Sequence, residues 1–193
     1  KASAQQELER AGISKEKSLF MISILGSSPQ KTYPLNYMAE VLDFIVSETR
    51  AQLLFNYIPK QKKEAEALLQ RCSPETKKSI FFDVFGKNLR EFLALTSCCD
   101  ALIGNEGGAI NMAKALNIPT FSIFSPQIKK ENWSIYEDGI QNIAVHLRDY
   151  RPQAFTAHSK KELLKKSVHF YEQLNPNLIF AELKDFLNKN SKK

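Results

Sequence analysis

Two turns in this chain carry residue types suited to an anion. The first runs Gly26-Ser27-Ser28-Pro29-Gln30-Lys31-Thr32-Tyr33-Pro34 and the second Gly104-Asn105-Glu106-Gly107-Gly108-Ala109-Ile110-Asn111. In the second, an apolar lead-in (Ala101, Leu102, Ile103) gives way to glycines and then to a helix-forming run through Leu116. A helix start exposes unpaired N–H groups at the positive end of the macrodipole, which suits a phosphate. Gly107 and Gly108 have no side chain to keep an anion off that backbone, so they are expected to seat a diphosphate. In the first turn the glycine and the Ser27 and Ser28 hydroxyls permit close approach, and Lys31 can neutralise a phosphate. This turn is neither a P-loop nor a Gly-x-Gly-x-x-Gly fingerprint. Each turn also has a plainer reading, as a polar strand–helix connection or as glycines that let a helix pack close to a strand. Together they carry more, because they follow different strands of one expected sheet.

Those strands and helices alternate along the chain. Leu19 to Leu25 is a continuous apolar run, as in a strand buried on both faces, and Met38, Val41, Leu42 and Ile45 then recur at helical spacing. Gln52 to Ile58 reads as a strand, residues 61–72 as a charged helix and Ser79 to Val84 as a short strand. Asn88 and Glu91 form an N-cap and third-position pair for a helix carrying Phe92, Leu95 and Thr96. A strand at Ala101 to Ile103, a helix at Ala109 to Leu116 and a strand at Thr120 to Phe124 follow, with a further strand at Gln141 to Leu147. This order predicts an α/β fold with a Rossmann-like, doubly wound parallel sheet. Its turns after the strands fall on one rim, where ligands of such sheets bind. The C-terminal part differs. Ser159 with Glu162 opens a helix carrying Leu164, Val168 and Tyr171; Asn175-Pro176-Asn177 breaks it; Ile179, Leu183, Phe186 and Leu187 mark a last helix. These helices read as an appendage packed on the sheet or on a neighbouring domain. The expected organisation is residues 1–18 as a linker and helix leading from another domain, 19–150 as the binding domain and 151–193 as C-terminal helices.

Composition narrows the classes. Cys72, Cys98 and Cys99 fit neither a disulfide framework nor a zinc site, and His146, His158 and His169 are scattered. With no His-Glu-x-x-His, Cys-x-x-Cys or Asp-x-Asp, neither a metal nor another cofactor is expected. The net charge is +6, but no aromatic platform is interleaved with the basic runs, so nucleic acid is not an expected partner. No apolar run approaches the roughly 20 residues that cross a bilayer. The polar start is no signal peptide, and Lys1 in place of Met suggests a piece of a longer chain. A cytoplasmic location is expected, with weak contact at the inner face of the membrane as its peripheral variant. Asn132-Trp133-Ser134 is read as a chance glycosylation sequon. Trp133 and Tyr136 lie in a long connection on the same rim, either packing that loop down or stacking over the site.

The Gly-Ser-Ser…Lys-Thr-Tyr-Pro turn, paired with Gly104-Asn105-Glu106-Gly107-Gly108 and then Asn111-Met112-Ala113-Lys114-Ala115-Leu116 and Ile118-Pro119-Thr120, resembles the C-terminal half of glycosyltransferase family 9. These are the lipopolysaccharide heptosyltransferases and their relatives. Gly86-Lys87-Asn88-Leu89-Arg90-Glu91-Phe92 is similar to the family's Gly-Lys-x-x-Leu-x-Glu-Leu stretch, and the resemblance covers about residues 15–150. It implies a GT-B architecture whose C-terminal domain binds a nucleotide-diphosphate sugar without a metal, for transfer to a glycan or glycolipid acceptor.

By this resemblance Lys31, with Ser27 and Ser28, holds the donor phosphates from one side, and Gly107 and Gly108 from the other. Glu106 stands where the family usually has an Asp facing the donor sugar, and Asn111 takes the usual His position, so the two orient the sugar. Glu106 reaches a methylene further than Asp, and Asn111 cannot titrate. Around Gln61, where relatives carry a Glu for the nucleotide ribose, Gln61-Lys62-Lys63 is basic. The donor implied is a nucleotide-diphosphate sugar of unspecified base and sugar. In the family the N-terminal domain binds the acceptor and supplies the base, so no catalytic base is expected here and this chain alone should bind donor with little turnover. The alternative from another class is a non-catalytic module that binds a nucleotide or sugar phosphate.

Overall fold

The computed structural model describes residues 2–156, 162 and 165–192. Five strands form one sheet: β1 (Leu19–Ser23), β2 (Gln52–Asn56), β3 (Ala101–Asn105), β4 (Thr120–Ile123) and β5 (Asn142–Val145). Their spatial order is β2-β1-β3-β4-β5 and every pairing is parallel. The doubly wound parallel sheet expected from the alternation is therefore present. The chain winds outward in opposite directions from β1 and β3, whose carboxyl ends lie side by side, with Ser23 level with Gly104. Diverging connections leave a crevice at such a reversal.

The described helices are α1 (Ala2–Arg10), α2 (Leu35–Thr49), α3 (Lys62–Arg71), α4 (Pro74–Ser79), α5 (Leu89–Thr96), α6 (Gly108–Ala115), α7 (Lys130–Trp133), α8 (Leu147–Tyr150), α9 (Gln153–Thr156), α10 (Ser167–Glu172) and α11 (Pro176–Asn190). They cover both faces of the sheet, which explains why β1 is apolar throughout. Phe20 and Ile22 share one core with Val41, Leu42 and Ile45 of α2 and with Ile179, Leu183 and Phe186 of α11. Leu19 and Met21 point into a second core with Ala4 and Leu8 of α1, Phe92 and Leu95 of α5, and Ile110 of α6. Each such side chain contributes about 1.5–3 kcal/mol by leaving water.

The C-terminal helix packs on the sheet. Phe186 lies against Phe121 of β4 with centroids 5.7 Å apart, and Phe180 stacks on Phe44 of α2 at 4.2 Å. Asn175 caps α11 by accepting from the Asn177 N–H at 3.0 Å, with Pro176 in the first turn. The helix start expected at Ser159 lies outside the described residues, as does His158. His146 has a local role: its Nδ1 accepts from the Arg148 N–H at 3.0 Å and starts α8.

One expected strand is absent. Ser79 ends α4, whose start is fixed by Pro74 and by the Ser73 hydroxyl accepting from the Thr76 N–H at 3.2 Å. Only Ile80 then bridges Leu53 of β2 before the chain turns, the Val84 N–H donating to Phe81 O at 3.1 Å. Phe82 and Phe85 stack on Tyr57 at 5.2 and 4.6 Å instead of extending a ladder.

Candidate donor site at the sheet reversal

The two turns after β1 and β3 are built as one unit. At Gly26 a Cβ would stand 2.2 Å from the Lys31 carbonyl oxygen, so only glycine lets the loop close on itself. The Gly26 N–H donates to Thr32 Oγ1 at 3.1 Å, and that hydroxyl donates to Ser28 O at 2.9 Å, around a 3-10 turn at Pro29–Lys31. Asn105 then ties this loop to the sheet. Its Oδ1 accepts from the Tyr33 N–H at 2.7 Å, its Nδ2 donates to Ser23 O at 2.9 Å, and its side chain is fully buried. The Ser125 hydroxyl adds a third tie, donating to Gln30 O at 3.0 Å.

Gly104 has φ +131° and a Cβ there would stand 2.4 Å from Ser23 O, so the close approach of β1 and β3 at the rim requires glycine. Gly107, at φ +150°, is the N-cap of α6 and has open space where a Cβ would point. Glycine has no side chain to cap the helix, so among the described residues its first N–H groups are left for solvent or a ligand.

A cavity of about 480 Å³ lies between the turns, and Ser27, Lys31, Glu106, Gly107, Gly108 and Asn111 all line it. Asn56 and Gln61 close it on the β2 side; Phe124, Ile128 and Trp133 close it on the β4 side. Ser28 is the exception among the expected residues. It lines a neighbouring groove with Tyr33, Leu35 and Tyr171, and its carbonyl is engaged by the Lys31 N–H and Thr32 hydroxyl.

Among the described residues, Lys31 and Glu106 are the only charged ones lining the cavity. Glu106 Oε1 is buried without a hydrogen-bond partner among the described residues. Burial pushes its carboxyl above the ordinary glutamate value, and Lys31 opposes the shift by attracting the charged form. The nearby Tyr171 hydroxyl does not relieve it, since it donates to Ile123 O at 3.2 Å.

Residues 1–165, a stretch that includes this whole cavity lining, match the family model described as glycosyltransferase family 9 (heptosyltransferase). The chain belongs to glycosyltransferase family 9. A lipooligosaccharide heptosyltransferase 2 from Haemophilus influenzae is 25% identical over 99 residues, covering 51% of this chain and 28% of that protein. The solved structure of the Escherichia coli ADP-heptose LPS heptosyltransferase II superposes with a TM-score of 0.72 at 15% identity, over 97% of this chain and 52% of that one. A family 9 glycosyltransferase from Veillonella parvula gives 0.74 at 16% identity, over 97% and 51%. The chain thus spans about half the length of these solved relatives. The parallel five-stranded α/β fold is the one expected from the family resemblance.

Asn105 was not singled out by sequence as a working residue. Its signal was present: a polar residue ending a buried strand needs buried partners.

Proposed function

We propose that this chain is the donor-binding half of a metal-independent GT-B glycosyltransferase that moves a sugar from a nucleotide-diphosphate sugar to a lipopolysaccharide-type acceptor. One observation carries the reading: in a family 9 domain, Lys31 and the uncapped start of α6 line one cavity at the reversal of the sheet. Lys31 and Ser27 hold the diphosphate from the β1 side, and the Gly107 and Gly108 N–H groups from the β3 side. Glu106 and Asn111 orient the sugar by hydrogen bonds; Asn111 supplies no proton. ADP-heptose, the donor named for the Escherichia coli relative, is the first candidate.

In the transfer, an acceptor hydroxyl oxygen bonds to the anomeric carbon while the bond from that carbon to the diphosphate oxygen breaks. The electron pair leaves with the diphosphate, and the hydroxyl proton passes to a base supplied by the acceptor-binding half. This chain contributes the preorganised donors that meet the charge developing on the diphosphate. The reaction is assigned to the cytoplasm, with the acceptor reached at the inner face of the membrane. The net charge of +6 favours an anionic surface, and no described helix is long and apolar enough to cross a membrane.

The test is calorimetric titration of the chain with ADP, UDP, GDP and CMP beside Lys31→Ala. One nucleoside diphosphate should bind, and the variant should weaken it by at least about tenfold, the loss expected for a charge-assisted contact. Equal binding by the variant would remove the phosphate seat from Lys31. Transfer of sugar by the full-length enzyme, abolished by the same variant, separates a transferase from a binding module.

A further inference from the structure

The β4 side of the cavity has a feature that phosphate binding does not use. Trp133, the chain's single tryptophan, is 58% exposed and yet forms part of the cavity wall beside Ile128 and Phe124. It ends the short helix α7, in a connection held from two directions. Lys114, itself only 9% exposed, donates from α6 to the Ile135 carbonyl at 2.6 Å. Lys130 Nζ donates to Asp149 Oδ2 at 2.9 Å and to Ala144 O at 3.2 Å. The indole is therefore carried on a strap tied to α6, to β5 and to α8. Tyr136 and Ile140 of the same strap are also exposed but do not line the cavity.

Opposite in chemistry, and lining the same cavity, are the partnerless Glu106 Oε1 and the Asn111 amide. A carboxylate oxygen without a donor calls for a hydroxyl, and an exposed indole calls for a flat apolar face. A pyranose ring has both: hydroxyl groups around its edge and C–H bonds across its face. In a nucleoside the flat face belongs to the base and the hydroxyls to the ribose, so the two features lie on different rings. With the diphosphate at Gly107 and Gly108, two flanks remain for the two ends of the donor. The Asn56 and Gln61 flank has amides and no aromatic lining residue; the Trp133 flank has the aromatic platform and adjoins the carboxylate.

Resting on the donor-site reading above, in which Glu106 meets the sugar and the Gln61 side the ribose, we infer that Trp133 is the platform on which the transferred sugar ring lies and so sets sugar specificity. Trp133 then contributes to the binding of a nucleotide sugar and little to that of the nucleoside diphosphate alone.

The experiment compares ADP with ADP-heptose, and UDP with UDP-glucose, by calorimetry on the wild-type chain, Trp133→Ala and Trp133→Phe. Intrinsic fluorescence is read in parallel, since all tryptophan emission comes from this position. For whichever pair binds, Trp133→Ala should weaken the sugar form by about tenfold, typical of truncating an aromatic contact, and leave the diphosphate within about twofold. Trp133→Phe should recover most of the loss, and the sugar form should change the emission beyond the change caused by the diphosphate. Unfolding midpoints check that the exposed substitution leaves the fold intact. Equal weakening of both ligands would make Trp133 a nucleoside platform, and no weakening of either would make it a loop residue; each overturns the inference while leaving the donor site standing. If GDP or CMP is what the wild-type chain binds, the same comparison is made with that nucleotide and its sugar; if it binds none of these ligands, the donor reading itself fails and the inference falls with it.

Discussion

The tie made by Asn105 allows a quantitative test of how the two turns are joined. Its amide orientation is fixed by its partners: the Tyr33 N–H can only donate and Ser23 O can only accept, at 2.7 and 2.9 Å. Asn105→Ala removes two hydrogen bonds in a fully buried site and leaves one donor and one acceptor without that amide. At about 1 kcal/mol net per bond, and about 1–3 kcal/mol for each group left unsatisfied, the cost is about 3 kcal/mol once water partly fills the gap. That is a large share of the roughly 5–15 kcal/mol that holds a typical domain folded. In urea, with a slope of about 2 kcal/mol per molar, the midpoint should fall by about 1.5 M at unchanged slope.

Asn105→Asp sharpens the test. The acceptor facing Tyr33 is kept, but an oxygen replaces Nδ2 opposite the Ser23 carbonyl, so ionised Asp meets another acceptor in a dry site. This variant should be at least as unstable as Asn105→Ala at pH 7. It should recover toward pH 4, where a protonated carboxyl can again donate to Ser23 O. A loss below about 1 kcal/mol for Asn105→Ala, or an Asp variant indifferent to pH, would refute the view that this amide locks the turn after β1 to the sheet.

Three other substitutions separate stability from binding. Gly104→Ala places a methyl 2.4 Å from Ser23 O at φ +131° and should cost about 2–4 kcal/mol in urea unfolding, by clash and backbone strain together. Gly107→Ala meets nothing within 4 Å, so its cost should be backbone strain alone, about 1–3 kcal/mol at φ +150°, while calorimetry should show nucleoside diphosphate binding lost as the methyl enters the expected anion seat. Glu106→Gln should stabilise the chain at pH 7. Burial raises the folded carboxyl above its ordinary 4.5, so the folded state binds more protons and the wild type loses stability as pH rises through that window. The variant's advantage should vanish by about pH 4, where both states of the wild type hold the proton, and unfolding at the two pH values checks the sign.

Sequence carried the sheet well because its strands are buried on both faces: Leu19, Phe20, Met21 and Ile22 show a continuous apolar run that no amphipathic helix would show. It carried the α5 start equally well, since Asn88 Oδ1 does accept from the Glu91 N–H, at 3.1 Å. It failed at Ser79 to Val84, where the apolar pattern is genuine but serves an aromatic stack on Tyr57 and an earlier proline fixes a helix. Within the candidate site, the glycines and Lys31 stood out in sequence because their types are unusual in those places, and they line one cavity. Ser28 lines the neighbouring groove instead of the cavity, a placement that a hydroxyl near a glycine does not reveal in sequence. Asn105 was under-read, because its importance lies in partners 72 and 82 residues away.

The charge balance of the cavity bears on how such a site would work. A diphosphate brings more than one negative charge, and the cavity meets it with one lysine and one helix terminus while keeping a carboxylate beside them. An arrangement made for tight ground-state binding would place further cations there and exclude Glu106. Under the donor reading, the diphosphate is an ester before transfer and gains charge as its bond to the sugar breaks. Lys31 and the α6 N–H groups then interact more strongly with the departing group than with the intact donor, which is the difference that accelerates a reaction. Glu106 acts in the opposite sense on the product, since the diphosphate left behind has a buried carboxylate as neighbour and no sugar hydroxyl to satisfy it. On that reading, a side chain placed to meet the sugar would also weaken the hold on what remains once the sugar has gone.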